Sequence, residues 1–265
     1  MSMNTRKLYQ VDAFASELFK GNPAAVVPLD AWLDATTMLQ IAAENNLSET
    51  AFFVGAEGRY HIRWFTPTDE IDLCGHATLA AAFVIFRFLE RRRDALTFES
   101  RSGDLTVTRA GNILTLDFPA ARGESRPPPP LLAEALGKPP AEYYAGRYHL
   151  AVFDSEKTIR ELQPNLELVK KLPGVGLIVT APGEQEDFVS RFFCPQIGIA
   201  EDPVTGAAHC YLTPYWAQRL QKNELTARQV SKREGELLCS LAGERVRISG
   251  QAKLYLEGIL HLPKG

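Results

Sequence analysis

Short runs of alternating or β-rich apolar residues, set off by Gly, Pro, Asn and Asp, recur along the chain. In the first half they fall at residues 7–12, 24–27, 49–54, 61–65, 95–99 and 105–109, each the length of a strand. Helical patterns stand between them. Asp34 is placed to cap a helix running to about Glu44. A second helix begins near His76 with HATLAAAFVIFRFL. A surface helix keeps a polar stripe, so one that is apolar on nearly every face should be enclosed by protein, here by the strands.

The second half repeats this plan, with strand-like runs at residues 176–180, 187–193, 245–249 and 253–256. Its central helix should run from Ala207 to about Leu220. Pro214 lies inside it, removes one intrahelical hydrogen bond and predicts a kink. Between the halves a strand-like run at 112–118 closes at Pro119, and residues 122–130 end in four consecutive prolines, as in a stiff, extended connector. The pattern therefore predicts an α+β chain with domains at 1–118 and 131–265 and a linker at 119–130.

The chain also resembles itself locally. Arg63-Trp-Phe65-Thr-Pro67 leads through Asp72 to Cys74-Gly75-His76-Ala77 and the first apolar helix. Arg191-Phe-Phe193-Cys-Pro195 leads through Asp202 to Thr205-Gly206-Ala207-Ala208 and the second. Both read as strand, loop, acid, glycine, helix start. The first turn of a helix carries unpaired N–H groups and the positive end of the helix dipole, and a glycine there lets an anion approach the backbone. Were the halves to pack about a pseudo-two-fold axis, both helix starts would face one cleft suited to a carboxylate.

Composition narrows the function classes. Apolar residues make up 45% of the 265 and charged residues 23%, ordinary for a folded chain. A net charge of −3 offers no basic field for nucleic acid. The start lacks a signal-peptide apolar region and no segment approaches eighteen uninterrupted apolar residues, so a cytoplasmic protein with no membrane partner is expected. Cys74, Cys194, Cys210 and Cys239 form no CxxC pair and read as free thiols. Cys74, His76, His209 and Cys210 are metal-ligand types near the helix starts, but their spacing is not that of a structural zinc site, and no metal is expected. No GxGxxG, P-loop or GxSxG motif supports a nucleotide cofactor or serine hydrolysis.

Four motifs, Gly21-Asn22-Pro23, Leu47-Ser48-Glu49-Thr50, Asp72-Leu73-Cys74-Gly75-His76-Ala77-Thr78 and Glu201-Asp202-Pro203-Val204-Thr205-Gly206, resemble those of the PhzF-like phenazine-biosynthesis family, and the likeness covers essentially the whole chain. It implies the diaminopimelate-epimerase-like fold, two similar domains that each wrap a β-barrel-like sheet round a central helix and share an active site. It further implies a cofactor-independent isomerase and a homodimer. Carried over by position, it makes Glu49 the general acid/base, puts His76 and Asp202 beside the substrate and Gly75 and Gly206 at the helix mouths, and lets Asn22 and Ala207 contact the ligand. The chemistry asks for such a set, because moving hydrogen between carbons needs one group that takes and returns a proton near neutral pH. Glu49 precedes the apolar run 51–54, which suits partial burial. At its helix start, His76 should be a neutral imidazole, favoured by the dipole.

The chain departs from its relatives at three places. Epimerases of this fold use two facing cysteines, and the equivalent positions here are Cys74 and Thr205. A threonine hydroxyl is too weak an acid to replace a thiol, which disfavours two-base stereoinversion and leaves Cys74 as a packing residue. Ala207 stands where the family commonly has serine, and Arg233-Glu234-Gly235 where it often has Arg-Gly-Gly. The reading is thus an isomerase moving a proton on a small unsaturated cyclic or amino-acid-like carboxylate. A non-catalytic small-molecule-binding or scaffold protein that retains the fold, or a two-base epimerase or racemase, are the alternatives.

Overall fold

The computed structural model describes residues 5–262; residues 1–4 and 263–265, the outer ends of the two expected halves, lie outside them. The chain divides into two compact units, one made of residues up to Asp117 together with those from Ser249 onward, the other of Phe118–Ile248.

In the first unit the strand Thr5–Ala13 pairs antiparallel with Asn22–Leu29, which runs parallel to Glu49–Ala56. Arg59–Phe65 follows antiparallel and lies parallel to Ala95–Ser100, which pairs antiparallel with Gly103–Ala110. The helix Gly75–Val84 packs on the first three of these strands, and all its residues but Gly75 and Phe83 are buried, as expected of a helix apolar all round. It does not continue as an α-helix to Leu89. Residues Ile85–Leu89 form a π turn closed by Glu90 N–H donating to the Ile85 carbonyl at 2.7 Å, and Phe88 stacks on Tyr9 at 4.8 Å.

The last strand, Ala252–His261, pairs along the outer edge of Thr5–Ala13 with one bulge at Gln10/Val11. It thus belongs to the first unit, whereas its place in the chain had grouped it with the second. An uncovered edge strand exposes a row of backbone donors and acceptors, and this final segment satisfies them.

The second unit repeats the pairing order. Glu142–Ala145 and Tyr148–Val152 are antiparallel, Tyr148–Val152 and Gly176–Pro182 parallel, and Gly176–Pro182 and Phe188–Cys194 antiparallel. Phe188–Cys194 then runs parallel to Glu224–Gln229, which pairs antiparallel with Gly235–Ala242. The helix Gly206–Leu220 packs on these last two strands. Trp216 anchors it, stacked on Phe188 at 5.7 Å and donating its indole N–H to Thr180 Oγ1 at 3.0 Å.

Pro214 has no N–H for the Cys210 carbonyl, and the Ala121 N–H takes that place at 3.0 Å. The expected linker is accordingly tied down. Glu124–Ser125 adds a short strand to Glu142–Ala145, and Pro130 opens the helix Pro130–Leu136 at the position where a missing N–H costs nothing.

The internal repeat extends to side chains. Arg63 binds Glu70 bidentately (2.7 and 2.8 Å) and lies over the Phe65 ring; Arg191 binds Glu201 likewise (2.7 and 3.0 Å) and lies over Phe193. At Arg233-Glu234-Gly235 the turn survives the loss of glycine. Glu234 itself takes the left-handed conformation at φ 54°, held by its ion pair with Arg160 at 2.7 Å. Among the described residues no helix is long and apolar enough to cross a membrane.

Candidate functional site

Three of the predicted residues meet in the first unit. Asn22 opens its strand directly after Gly21, which has φ 67°. Glu49 is the first residue of the neighbouring parallel strand, and His76 the second residue of the Gly75–Val84 helix. All three are buried, at 0%, 7% and 5% exposure. His76 Nε2 stands 3.0 Å from Glu49 Oε2, an ion-pair approach without the alignment of a good hydrogen bond. His76 Nδ1 lies 3.2 Å from the Asn22 amide nitrogen and 3.5 Å from Cys74 Sγ. The amide nitrogen donates to a neutral ring. Once the ring is protonated Nδ1 becomes a donor, and the amide must turn its oxygen toward it.

Burial favours the neutral ring, but the adjacent Cys74 sulfur and the Glu49 carboxylate outweigh it and hold His76 well above the ordinary histidine range. The Glu49 carboxylate thus pulls His76 toward its protonated form, against the neutral imidazole that its helix start favours. A carboxylate at 3.0 Å overrides a terminal dipole effect of about 0.3–2 kcal/mol. The sign of the pH dependence follows. A raised folded pKa gives stabilisation that is complete below the unfolded value near 6.5 and is lost as pH rises through the folded value. Urea midpoints measured from pH 6 upward should fall for the wild type relative to His76→Gln, and parallel curves would contradict the pairing.

Cys74 caps the helix start through its backbone and makes no side-chain cap bond. Burial, then the Glu49 charge, pushes its thiol up to about 11, so it stays protonated where a thiolate base would have to be formed. Ligand atoms of Glu49, Cys74 and His76 lie within 4.8 Å of one another, close enough for one metal ion to touch all three. Such an ion would take Cys74 as the thiolate, releasing its proton on binding. His209 and Cys210, the other ligand types noted in the sequence, turn to backbone carbonyls of their own helix, Thr205 and Gly206.

Asp202, Gly206 and Ala207 lie in the second unit. Asp202, 8% exposed, ends the strand Ile199–Asp202 and accepts the Thr205 hydroxyl at 2.5 Å. Its sequence counterpart Asp72 is not an equivalent group, for its side chain is 70% exposed. The register explains the difference: Phe192 pairs with Asp202, but Trp64 pairs with Ile71. Gly206 is buried and Ala207 half-buried at the helix start.

Sequence reasoning missed Gln229. Its amide, fully buried, donates to the Asp202 carbonyl at 2.7 Å and to Thr205 Oγ1 at 3.1 Å, and accepts the Thr205 N–H at 2.9 Å. One signal was present: Leu225, Ala227 and Gln229 share the inward parity of their strand, and an amide at an inward position needs buried partners.

The strand registers also align the two units residue by residue. Thr50 pairs with Phe65 as Leu177 pairs with Phe193, and Ala24 pairs with Glu49 as Tyr148 pairs with Gly176. Glu49 thus corresponds to Gly176, Asn22 to Gly146 and His76 to Ala207. Every polar member of the first cluster has a counterpart without a functional side chain. At Gly176 none would fit, since a Cβ there would meet the Phe193 carbonyl oxygen at 2.9 Å and the Phe192 ring at 2.7 Å.

Comparison with known proteins agrees with this architecture. A Pseudomonas aeruginosa protein named as an uncharacterized isomerase is 54% identical over 255 residues, 96% of this chain and 98% of its own. The crystal structure of a PhzF-family phenazine biosynthesis protein from Enterococcus faecalis matches with a TM-score of 0.95 at 49% identity, over 97% of this chain and 100% of that one. A hydroxyproline epimerase from Agrobacterium vitis matches with a TM-score of 0.62 at 10% identity, over 97% and 93% of the two chains, a likeness of fold alone. The family model for phenazine biosynthesis-like proteins matches residues 11–258. With its α+β architecture, its paired motifs and relatives matched along almost its full length, the chain belongs to the phenazine biosynthesis-like (PhzC/PhzF) protein family.

Proposed function

We propose that the protein is an isomerase that moves a proton on a small unsaturated cyclic or amino-acid-like carboxylate through a single carboxylate, Glu49, without metal or organic cofactor. The observation that carries this reading is the asymmetry of the repeat: Asn22, Glu49 and His76 in one unit correspond to Gly146, Gly176 and Ala207 in the other. A two-base epimerase needs a proton-exchanging group from each half. The counterpart positions of the second unit supply glycine, alanine and a threonine hydroxyl.

In the proposed reaction the Glu49 carboxylate takes a proton from one carbon as that C–H bond breaks, and the electron pair delocalises into the adjoining unsaturation. Glu49 then gives the proton to a second carbon, where the new C–H bond forms, so atoms and charge balance. His76, 3.0 Å from the acid and drawn toward its protonated form, stabilises the carboxylate before transfer and the negative charge that develops on the substrate. The N–H groups at the helix start around Gly75 suit the substrate carboxylate; for Gly206, Ala207 and the orienting acceptor Asp202, contact with substrate is what the family likeness implies. The relatives named as isomerases support this class. The reading also takes the protein to be a cytoplasmic homodimer, for which light scattering should give twice the mass of one chain.

The test is deuterium incorporation from D₂O into candidate unsaturated cyclic carboxylic acids, read by mass spectrometry. Incorporation should persist within about threefold in Cys74→Ser, because the thiol is no part of the proton path. The purified protein should carry well under one equivalent of zinc. Loss of exchange in a folded Cys74→Ser, or stoichiometric zinc, would contradict the proposal.

A further inference from the structure

Thr205 is held at every polar atom it has. Its N–H donates to Gln229 Oε1 (2.9 Å), its hydroxyl accepts from Gln229 Nε2 (3.1 Å) and donates to Asp202 Oδ2 (2.5 Å), and its carbonyl accepts from His209 Nδ1–H (2.8 Å). Burial drives the His209 pKa down to about 4, so this ring is neutral at physiological pH and its Nδ1 proton stays on that bond. Gln229 also donates to the Asp202 carbonyl. One amide therefore ties the end of the strand Ile199–Asp202 to the first residue before the helix.

The other unit lacks this device. The strand registers make Ser100 the counterpart of Gln229, and its hydroxyl donates to the Gly103 carbonyl within its own turn. The carbonyl lock at the helix start is common to both, since Thr78 Oγ1 donates to the Cys74 carbonyl at 2.6 Å as His209 does to Thr205. What distinguishes the second unit is an amide that fixes the rotamer of a hydroxyl, and that hydroxyl points its proton at a carboxylate.

We propose that Gln229 is a positioning residue: by filling the acceptor side of the Thr205 hydroxyl it leaves Asp202 as the one receiver of that proton, and so sets the orientation of the Asp202 carboxylate. A hydroxyl with one donor already at its lone pairs directs its own O–H elsewhere. The functional weight of the device rests on Asp202 orienting substrate, but the device itself is a property of the protein alone. It also accounts for Thr205 at a position where related epimerases carry a thiol, because the hydroxyl serves Asp202 and takes no part in proton exchange.

The test uses the full-length protein without substrate, in two near-isosteric variants, Gln229→Met and Thr205→Val, with Thr205→Ser as the conservative rescue. NMR at pH 7 would follow the Asp202 carboxyl carbon and the slowly exchanging Thr205 hydroxyl proton, with backbone amide spectra confirming the fold. Expected is loss of the hydroxyl signal in both Gln229→Met and Thr205→Val and its return in Thr205→Ser. The Asp202 carbon should move the same way in Gln229→Met and Thr205→Val, and the double variant should match Thr205→Val alone, as for residues acting in series. An unchanged Asp202 carbon and hydroxyl signal in folded Gln229→Met would overturn the proposal, as would an additive double variant. Because no turnover is read, these results stand apart from success or failure of the deuterium-exchange assay.

Discussion

Glu49→Gln should lower deuterium transfer from solvent by about 10³-fold while leaving the protein folded, within the 10²–10⁴ range that a positioned acid/base contributes. The substitution keeps the size of the side chain and its place at the head of the strand Glu49–Ala56 but removes the only oxygen pair there that can hold a proton reversibly. It leaves no unpaired buried charge. With the carboxylate gone, burial of His76 at 5% exposure is no longer opposed by that negative neighbour, and the ring reverts toward its neutral form. The stability change should accordingly be small beside the rate change. Activity retained within tenfold in Glu49→Gln would remove Glu49 from the proton path and with it the one-base mechanism.

The largest stability effect is expected at Gly21→Ala, about 3 kcal/mol. Gly21 has φ 67°, and a Cβ there would lie 2.1 Å from the Ala13 carbonyl oxygen and 2.9 Å from Ala15 Cβ. Ala13 pairs with Asn22 in the first strand ladder, so the backbone cannot yield without moving the residue that meets His76. Gly103→Ala separates the two causes. Its φ is also positive, at 92°, but nothing lies within 4 Å of the added carbon, so only the conformational cost of about 1 kcal/mol applies. Urea unfolding at equal m-values would measure both, and equal losses would show that the close approach at Gly21 is relieved without consequence. Gly21→Ala should also shift the His76 ring resonances, because the Asn22 amide is displaced from Nδ1.

Much of the chain's chemistry was legible because it is local. The apolar run from His76 onward announces an enclosed helix whatever surrounds it. Asp34 caps its helix, accepting from the Thr37 N–H at 2.9 Å. The paired Arg-x-Phe, acid and glycine patterns reveal the duplication within one chain. Pro214 states which carbonyl lacks a helical donor, and four short motifs carry the family likeness.

Other properties depend on residues far apart in sequence. Ala252–His261 lies in the first unit because its edge partner is Thr5–Ala13, and no local pattern names a partner some 250 residues away. His76 is drawn toward its protonated form because Glu49 stands 3.0 Å from it, although its helix position alone argues for the neutral ring. Asp72 and Asp202 occupy like places in the linear motif, but the strand register exposes one and buries the other. Gln229 is an unremarkable amide until strand pairing brings it to Thr205. Sequence by itself determined the central helices, many of the strands, the repeat and the kind of side chain available at each helix start, since propensity, capping and apolar period act over a few residues. The strands Tyr148–Val152, Glu224–Gln229 and Gly235–Ala242 showed only in the fold. Tertiary structure alone decided which side chains meet, and hence their charge and orientation, since desolvation, ion pairing and hydrogen bonding act only across the few ångströms that folding closes.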